Sequence, residues 1–392
     1  MIIKDQLIKF LSNQKPHIRY NCCLLIRKLF TDLEDMDLEV YEKLKRSLLD
    51  RLRDKDKLIR SAAALALHRF QESDKRSDLV SDALRFHLRT DPDFRVRQSC
   101  LQSLSPTIAS IDEFINSTRD VKDIIRKTAF TLIADKFDIK NYGIDKRLQI
   151  LKNGMNERHA AVRKVVETKL LPNWVKSYNG DFVALLYALD IQSDPKLIER
   201  MLFLYFDYIG KDVNELNGKT GFHTFLDDFK NRFLEKFNLL TKEDLTAENA
   251  FLWRIVAKYC KDKEITVTFI LNNDNTDTNA EEMSDGSQPA DTHPEEIDGI
   301  DLIVPDLPHY CHYINVFIKQ ILIKEYEIHE LMEFEFMFNQ LLSMGELIDI
   351  GDDAQRQILR KCMIDILSNE ELFNRIHNYV QHLMKIFAKN SD

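Results

Sequence analysis

The chain of 392 residues carries a formal net charge of −9 and contains only 10 glycines and 9 prolines. Both counts are well below the usual usages of about 7% and about 5%. No glycine precedes Gly143, so tight β-hairpin turns are nearly excluded before that residue. A hydrophobic fraction of 44% is ample for a core, yet no apolar run approaches the ~18 residues that a membrane span needs. The composition therefore predicts an all-α protein and excludes a membrane-spanning one.

A recurrent arginine marks a repeated helical phrase in the first 170 residues. Each copy follows an aliphatic residue, and mostly small or apolar side chains come three, six and seven positions later. Those positions share one face of a helix, so each phrase predicts an amphipathic helix that must stack on its neighbours. The copies are 41, 37, 29 and 37 residues apart, which is typical of HEAT or armadillo repeats in an α-solenoid. The five arginines are Arg19, Arg60, Arg97, Arg126 and Arg163.

Acidic residues lie just upstream of two of these arginines, with Asp54 before Arg60 and Asp91 before Arg97. An acid at a helix start can cap free N–H groups and interacts favourably with the helix dipole. The arginine can then pair with the acid of an adjacent repeat. We therefore expect the five arginines to form a structural ladder along the stack.

Charge is segregated along the chain. Residues 1–180 carry 35 lysines and arginines against 25 acids, whereas the remainder carries 20 against 39. We expect basic HEAT repeats over residues 1–175, further helical repeats over 176–270 and continuing repeats over 301–392. Residues 271–300 separate the last two regions and are predicted to be a disordered acidic loop, because acids are frequent there and apolar residues rare.

Basic residues cluster near the predicted repeat turns, over residues 43–57, 119–127 and 146–164. Equivalent positions of successive repeats line one surface, so these clusters could form a continuous groove for a polyanion. Aromatic residues are scarce among them, which favours the phosphate backbone over base stacking. The alternative is that each cluster is only a solvated face. The predicted phosphate contacts are Lys55, Lys57, Arg95, Arg119, Lys122, Lys127, Arg158 and Lys164.

No sequence pattern for catalysis is present. The chain lacks a phosphate-binding glycine loop, the HExxH pattern and paired CxxC sites. His309, Cys311 and His312 form a metal-like group, but their spacing fits no standard zinc site. The six cysteines are expected to be reduced thiols of a cytosolic or nuclear protein. We therefore expect no enzymatic activity, no metal and no cofactor.

The repeat segments follow one another in a specific order. The most specific is TRDVKDIIRKTAFTLIADK, at residues 118–136. The others are DRLRDKDKLIRSAAALALHRFQ, DPDFRVRQSCLQSLSPT, LQILKNGMNERHAAVRKVVETKLLPNW, LTAENAFLWRIVAKYCKDK, IVPDLPHYCHYI and GDDAQRQILRKCMIDIL. Together they resemble the condensin complex subunit 3 family, the HEAT-repeat, non-SMC subunits of condensin. The resemblance covers most of the chain and is weaker over residues 200–240.

The resemblance implies a non-enzymatic subunit that acts with other proteins. Members of the family hold a kleisin subunit that threads along the solenoid, grip double-stranded DNA with it, and depend on the SMC ATPase pair as the motor. It implies backbone contact without sequence preference, a role in mitotic chromosome condensation, and a location in the nucleus and on mitotic chromosomes with a cytoplasmic pool. The chain is much shorter than a full member, so we expect an N-terminal to central portion.

A generic HEAT adaptor remains the alternative. Such a protein, of the nuclear-transport or phosphatase-scaffold type, would bind peptides and not DNA. Its basic face would receive an acidic partner segment, or the acidic loop of this chain. DNA binding therefore separates the two hypotheses.

Overall fold

A computed structural model describes residues 2–32, 38–72, 78–211, 220–231, 245–269, 295–323, 325–348, 353–376 and 378–389. Apart from a two-stranded ribbon, the regular secondary structure in these ranges is helical, which confirms the predicted helical class. Within these ranges, no helix is both long and apolar enough to cross a membrane. The chain divides into two compact units, Met1–Asp190 with Lys196–Tyr205, and Ile191–Pro195 with Phe206–Asp392.

The first unit consists of helix pairs in two layers. The helices are α1 (Ile2–Leu11), α2 (Pro16–Asp32), α3 (Leu38–Arg51), α4 (Lys57–Ala66), α5 (Leu79–Thr90), α6 (Phe94–Ser103), α7 (Ile111–Ser117), α8 (Asp123–Lys136), α9 (Ile144–Met155), α10 (Ala160–Val165), α11 (Leu171–Ser177), α12 (Phe182–Leu189) and α13 (Pro195–Gly210), within which the two units divide. The second helices of the pairs (α2, α4, α6, α8 and α10) pack each on the next, and in the other layer α1 packs on α3 and α7 on α9. A π-helical turn at Val166–Leu170 joins α10 to α11.

Short polar and apolar side chains allow the second helices to approach closely. In α4, Ala62, Ala63 and Ala66 are buried, and the hydroxyl of Ser61 lies 2.7 Å from that of Ser99 in α6. Small side chains at these positions leave room for the neighbouring helix backbone. The repeated small residues of the sequence thus set the close spacing of the stack.

Four of the five recurrent arginines form an arginine ladder between consecutive turns. Each guanidinium donates two hydrogen bonds to the carboxylate of a ladder acid in the next turn, a bidentate geometry that is stronger than a neutral hydrogen bond. The Nε–carboxylate distances are 2.7 to 2.9 Å. The pairs are Arg19–Asp54, Arg60–Asp91, Arg97–Asp120 and Arg126–Glu157.

Each ladder arginine also binds the backbone of its own turn. Nη1 of Arg60 donates to the carbonyls of Asp54 at 3.0 Å and Lys55 at 3.2 Å. The same donation, to the residues six and five positions earlier, recurs at Arg19, Arg97 and Arg126. Asp54, Asp91 and Asp120 therefore each bind the preceding arginine through the carboxylate and the following arginine through the carbonyl.

Three of the four ladder acids are held as carboxylates. Burial by itself would raise the pKa of Asp91, whose side chain is only 3% exposed. Hydrogen bonds from Arg60 and from the Asp93 amide outweigh that effect, so the pKa of Asp91 is lowered. The pKa values of Asp54 and Glu157 are lowered for the same reasons.

The second unit is built around aromatic and polar buried contacts. The Tyr259 ring packs against Phe206 and Phe222, with centroid distances of 5.2 and 4.6 Å. The indole N–H of Trp253 donates to the Ile303 carbonyl at 2.9 Å. Its described helices beyond α13 are α14 (Gly221–Phe229), α15 (Ala247–Asp262), α16 (Leu307–Ile323), α17 (Ile328–Gly345), α18 (Asp353–Leu367), α19 (Glu370–Arg375) and α20 (Val380–Lys389).

A two-stranded antiparallel ribbon corrects the predicted boundaries around the acidic loop. Strand β1 (Thr266–Phe269) pairs with β2 (Glu295–Asp298), and Val267 lies opposite Ile297. Residues 295–298 were expected in the disordered loop and residues 266–269 in helical repeats, so this part of the prediction is wrong. β-branched residues such as Thr266 and Val267 favour an extended strand. The rest of the predicted loop, residues 270–294, lies outside the described residues.

The ladder predicts a large stability effect at Arg97. Arg97→Ala leaves the carboxylate of Asp120, which is 14% exposed, without its main partner. We expect a loss of about 3 kcal/mol in the free energy of unfolding, as for other broken buried ion pairs. Arg97→Lys keeps the charge but cannot form the two parallel hydrogen bonds of a guanidinium, so its loss of unfolding free energy should be intermediate. Urea unfolding followed by circular dichroism measures both. The neighbouring exposed residue supplies the control, since Arg95→Ala should have little effect; equal stability of the two alanine variants would contradict a ladder role.

The lowered carboxyl pKa values predict a loss of stability in acid. Carboxyl groups with a folded-state pKa below their unfolded value of about 4 stabilise the protein above that value. This contribution disappears as the pH falls through the folded-state pKa. The melting temperature of the first unit should therefore change little between about pH 7 and 5 and fall below about pH 4. Asp91→Asn removes one carboxyl group whose pKa is lowered, so the melting temperature of this variant should depend less steeply on pH in the acidic range. An unchanged pH dependence would contradict a stabilising role of the Asp91 carboxylate.

Candidate nucleic-acid interface

The ladder aligns the turns that precede the second helices along one edge of the first unit. Each turn has the same length, because every ladder arginine bonds to the residues five and six positions before it. Side chains at equivalent positions of these turns therefore lie side by side. We call this surface the basic edge. Its exposed cations are Lys15, Arg53, Lys55, Lys57, Arg95, Arg119, Lys122 and Arg158.

Direct contacts between neighbouring turns confirm that these turns are adjacent. Each contact joins a side chain at the start of one second helix to one at the start of the next. One contact is a lysine–aspartate ion pair, one joins an imidazole nitrogen to a carboxylate, and one places an ammonium group over an aromatic ring. They are Lys57–Asp93 at 3.3 Å, Lys122 over Phe94 at 6.0 Å from the ring centroid, and His159–Asp123 at 3.3 Å.

The structure divides the eight predicted phosphate contacts into two sets. Six of them belong to the basic edge, and among these Lys57 is half-exposed and paired with Asp93. Lys127 and Lys164 instead follow the recurrent arginine by one residue, about 100° further round the helix. Both are exposed on the second helices beside the edge. The two sets therefore present cations in different directions from adjacent surfaces.

Arg53 is a member of the basic edge that the sequence analysis did not select. It lies seven residues before Arg60, as Arg119 lies seven before Arg126, and both side chains are exposed. Counting positions from the recurrent arginine would have identified it. The sequence alone could not tell that the intervening turns have the same conformation.

Arg163 departs from the prediction that all five arginines form the ladder. Its side chain is exposed and, among the described residues, forms no hydrogen bond or ion pair. At the other four positions the partner is an acid of the following turn, and no described acid fills that place for Arg163. Glu157, which closes the turn before α10, is already bound to Arg126.

A groove of about 950 Å³ lies away from the basic edge, toward the C-terminal ends of α2, α4 and α6. Leu24, Leu25 and Leu65 contribute apolar surface, while His68 and Gln102 contribute polar groups. The groove crosses three consecutive second helices. The lining also includes the cations Arg27, Lys28 and Arg69, so the groove combines apolar, polar and basic groups.

The metal-like histidine and cysteine group lies in the second unit. His309 contacts the carboxylate of Asp306 at 2.6 Å, and Cys311 is buried. Within the described ranges, no three histidine, cysteine or acidic side chains are grouped so that they could share a metal ion.

Known proteins with similar sequences agree with this repeat architecture. The family model for HEAT repeats matches residues 5–105. Condensin complex subunit 3 of Xenopus laevis is 26% identical over 385 residues, 96% of this chain and 33% of that protein. The Schizosaccharomyces pombe protein of the same name is 28% identical over 396 residues, 100% of this chain and 39% of that protein. The chain spans about a third of the length of these relatives.

A solved structure shows the same fold. In the crystal structure of the S. pombe condensin Cnd3–Cnd2 subcomplex, the matching chain is 23% identical with a TM-score of 0.70. The match covers 99% of this chain and 46% of the other. The HEAT-repeat class predicted from the sequence is thus confirmed, and the resemblance to condensin complex subunit 3 proteins is confirmed over most of the chain.

Proposed function

We propose that this chain is a non-enzymatic scaffold of a condensin-type complex that, with a kleisin, binds the backbone of duplex DNA during mitotic chromosome condensation. The observation that carries the proposal is the alignment of exposed cations along the basic edge by the ladder. The SMC ATPase pair would be an indirect partner. The corresponding location is the nucleus and mitotic chromosomes, with a cytoplasmic pool.

The dimensions of the basic edge suit a duplex. Packed helices usually lie 8–10 Å apart, so five consecutive turns extend over roughly 40 Å. One turn of B-form DNA is about 34 Å long. The edge therefore presents its cations over about one helical turn of phosphates, with which they can pair by displacing counterions.

The chemistry of the edge favours the DNA backbone over the bases. Phe94 is only partly exposed, and its ring lies close to Arg95 and Lys122, at 5.6 and 6.0 Å. It therefore supports cations and does not offer an open stacking platform. Asp56 and Asp93 accept backbone N–H groups at the starts of α4 and α6, so these acids serve as helix caps within the edge.

The groove formed by α2, α4 and α6 supports a kleisin as the protein partner. Apolar, polar and basic side chains from three consecutive helices line it, and none of them belongs to the basic edge of the same unit. The related Cnd3 chain was crystallised with Cnd2, the kleisin of that subcomplex. A kleisin segment in the groove would leave the basic edge accessible to DNA.

Charge reversal tests the proposed DNA contact. The triple variant Arg119→Glu, Lys122→Glu and Lys127→Glu should bind a 30-base-pair fluorescent duplex about tenfold or more weakly. Its log–log salt slope should become shallower by about 3, since each lost phosphate contact contributes roughly 0.9. The three side chains are exposed, so the melting temperature should stay near that of the unchanged protein. Fluorescence anisotropy across a salt series, with and without a kleisin segment, provides the measurement.

A matched triple variant controls for net charge. Lys136→Glu, Lys140→Glu and Lys176→Glu make the same charge change at exposed lysines outside the basic edge. This control should retain most of the affinity. Equal losses in both variants would indicate a general field effect, and a flat salt response of the unchanged protein would favour the peptide-binding adaptor.

A further inference from the structure

The four arginine–acid pairs of the ladder show which kind of group a recurrent arginine binds. In each, Nε and Nη2 donate in parallel to two oxygen atoms of one anionic group. For Arg126 these are the two carboxylate oxygens of Glu157, at 2.7 and 3.0 Å. A phosphodiester presents two anionic oxygens that can accept the same forked pair of hydrogen bonds.

Arg163 is the fifth recurrent arginine, and no anionic group of the described residues binds it. Its guanidinium is exposed and has no described partner, although it follows Val162 as Arg126 follows Ile125. Glu157 cannot serve, because its carboxylate accepts Arg126 and the amides of Arg158 and His159. The fifth position is therefore open.

The surroundings of the open position are positively charged. Arg158 and Lys164 are exposed close to Arg163 in sequence, in the preceding turn and on the same helix. The nearby Asp123 is paired with His159. Arg163, Arg158 and Lys164 outnumber the partly exposed Glu167, which lies four residues after Arg163, and this excess of positive charge favours a phosphate over the single carboxylate of a protein partner.

We infer that Arg163 binds a DNA phosphate at the place where the other ladder arginines bind a carboxylate. This inference rests on the proposed DNA-binding function and gives Arg163 a binding role in place of the structural one. The duplex would then be held at the end of the ladder by a forked guanidinium contact. Arg158 and Lys164 would neutralise neighbouring phosphates.

Substitutions at Arg163 test the forked contact. Arg163→Ala should weaken binding to the 30-base-pair duplex about fivefold and make the log–log salt slope shallower by about 1, as for one lost phosphate contact. Arg163→Lys keeps the charge, so its slope should match the unchanged protein, while its affinity should fall about two- to threefold through loss of the fork. Lys136→Ala, at an exposed lysine of α8 outside the basic edge, is the control. All variants should keep the original melting temperature.

Several results would overturn the inference. If Arg163→Ala binds as tightly as the control while the Arg119, Lys122 and Lys127 triple variant binds weakly, the DNA function stands and the role of Arg163 is wrong. If Arg163→Lys equals the unchanged protein in affinity, the charge acts only through the general field. A melting temperature lowered by Arg163→Ala would mark a structural position. Absence of salt-dependent binding by the unchanged protein would overturn both proposals.

Discussion

The stack depends on the ladder acid, a residue that joins two repeats and closes the turn between them. Asp91 shows the full set of contacts. Its carboxylate accepts Arg60 and the backbone amide of Asp93, and its carbonyl accepts Arg97. One residue thereby fixes the conformation of its own turn and the position of that turn relative to the preceding repeat. Since both charges of the pair are largely buried, each is stable only while the other is present.

This arrangement explains why positive charge accumulates at the turns. The ladder arginines and acids neutralise one another, and Asp56 and Asp93 are directed to backbone N–H groups. The remaining cations, such as Arg119 and Lys122, extend outward without an equal number of acids beside them. The buried ladder arginines and the exposed arginines thus differ by a few positions within the same turn.

Much of the first unit could be predicted because the residues that determine each helix lie close together in the sequence. Around Arg60 the aliphatic residue, the arginine and the small residues lie within a few positions of one another. One short segment therefore predicts both the helix and its buried face. The partner of each arginine is 23 to 35 residues away, and only the constant turn length brings the two together. The open position of Arg163 could not be predicted, because it depends on the lack of a partner. The ribbon of Thr266–Phe269 and Glu295–Asp298 was missed because its two short strands are distant in sequence.

The π-helical turn at Val166–Leu170 changes the phase of the buried stripe. Val162, Val166, Leu170 and Trp174 are all buried, at a strict spacing of four residues. In a regular α-helix each such step overshoots a full turn by about 40°, so three steps would move the stripe by about 120° around the helix. The wider π turn absorbs part of this drift and keeps all four side chains on the core. A helix can therefore tolerate the insertion of one residue without losing its packing, while the sequence period that reveals the earlier repeats is displaced from this point onward.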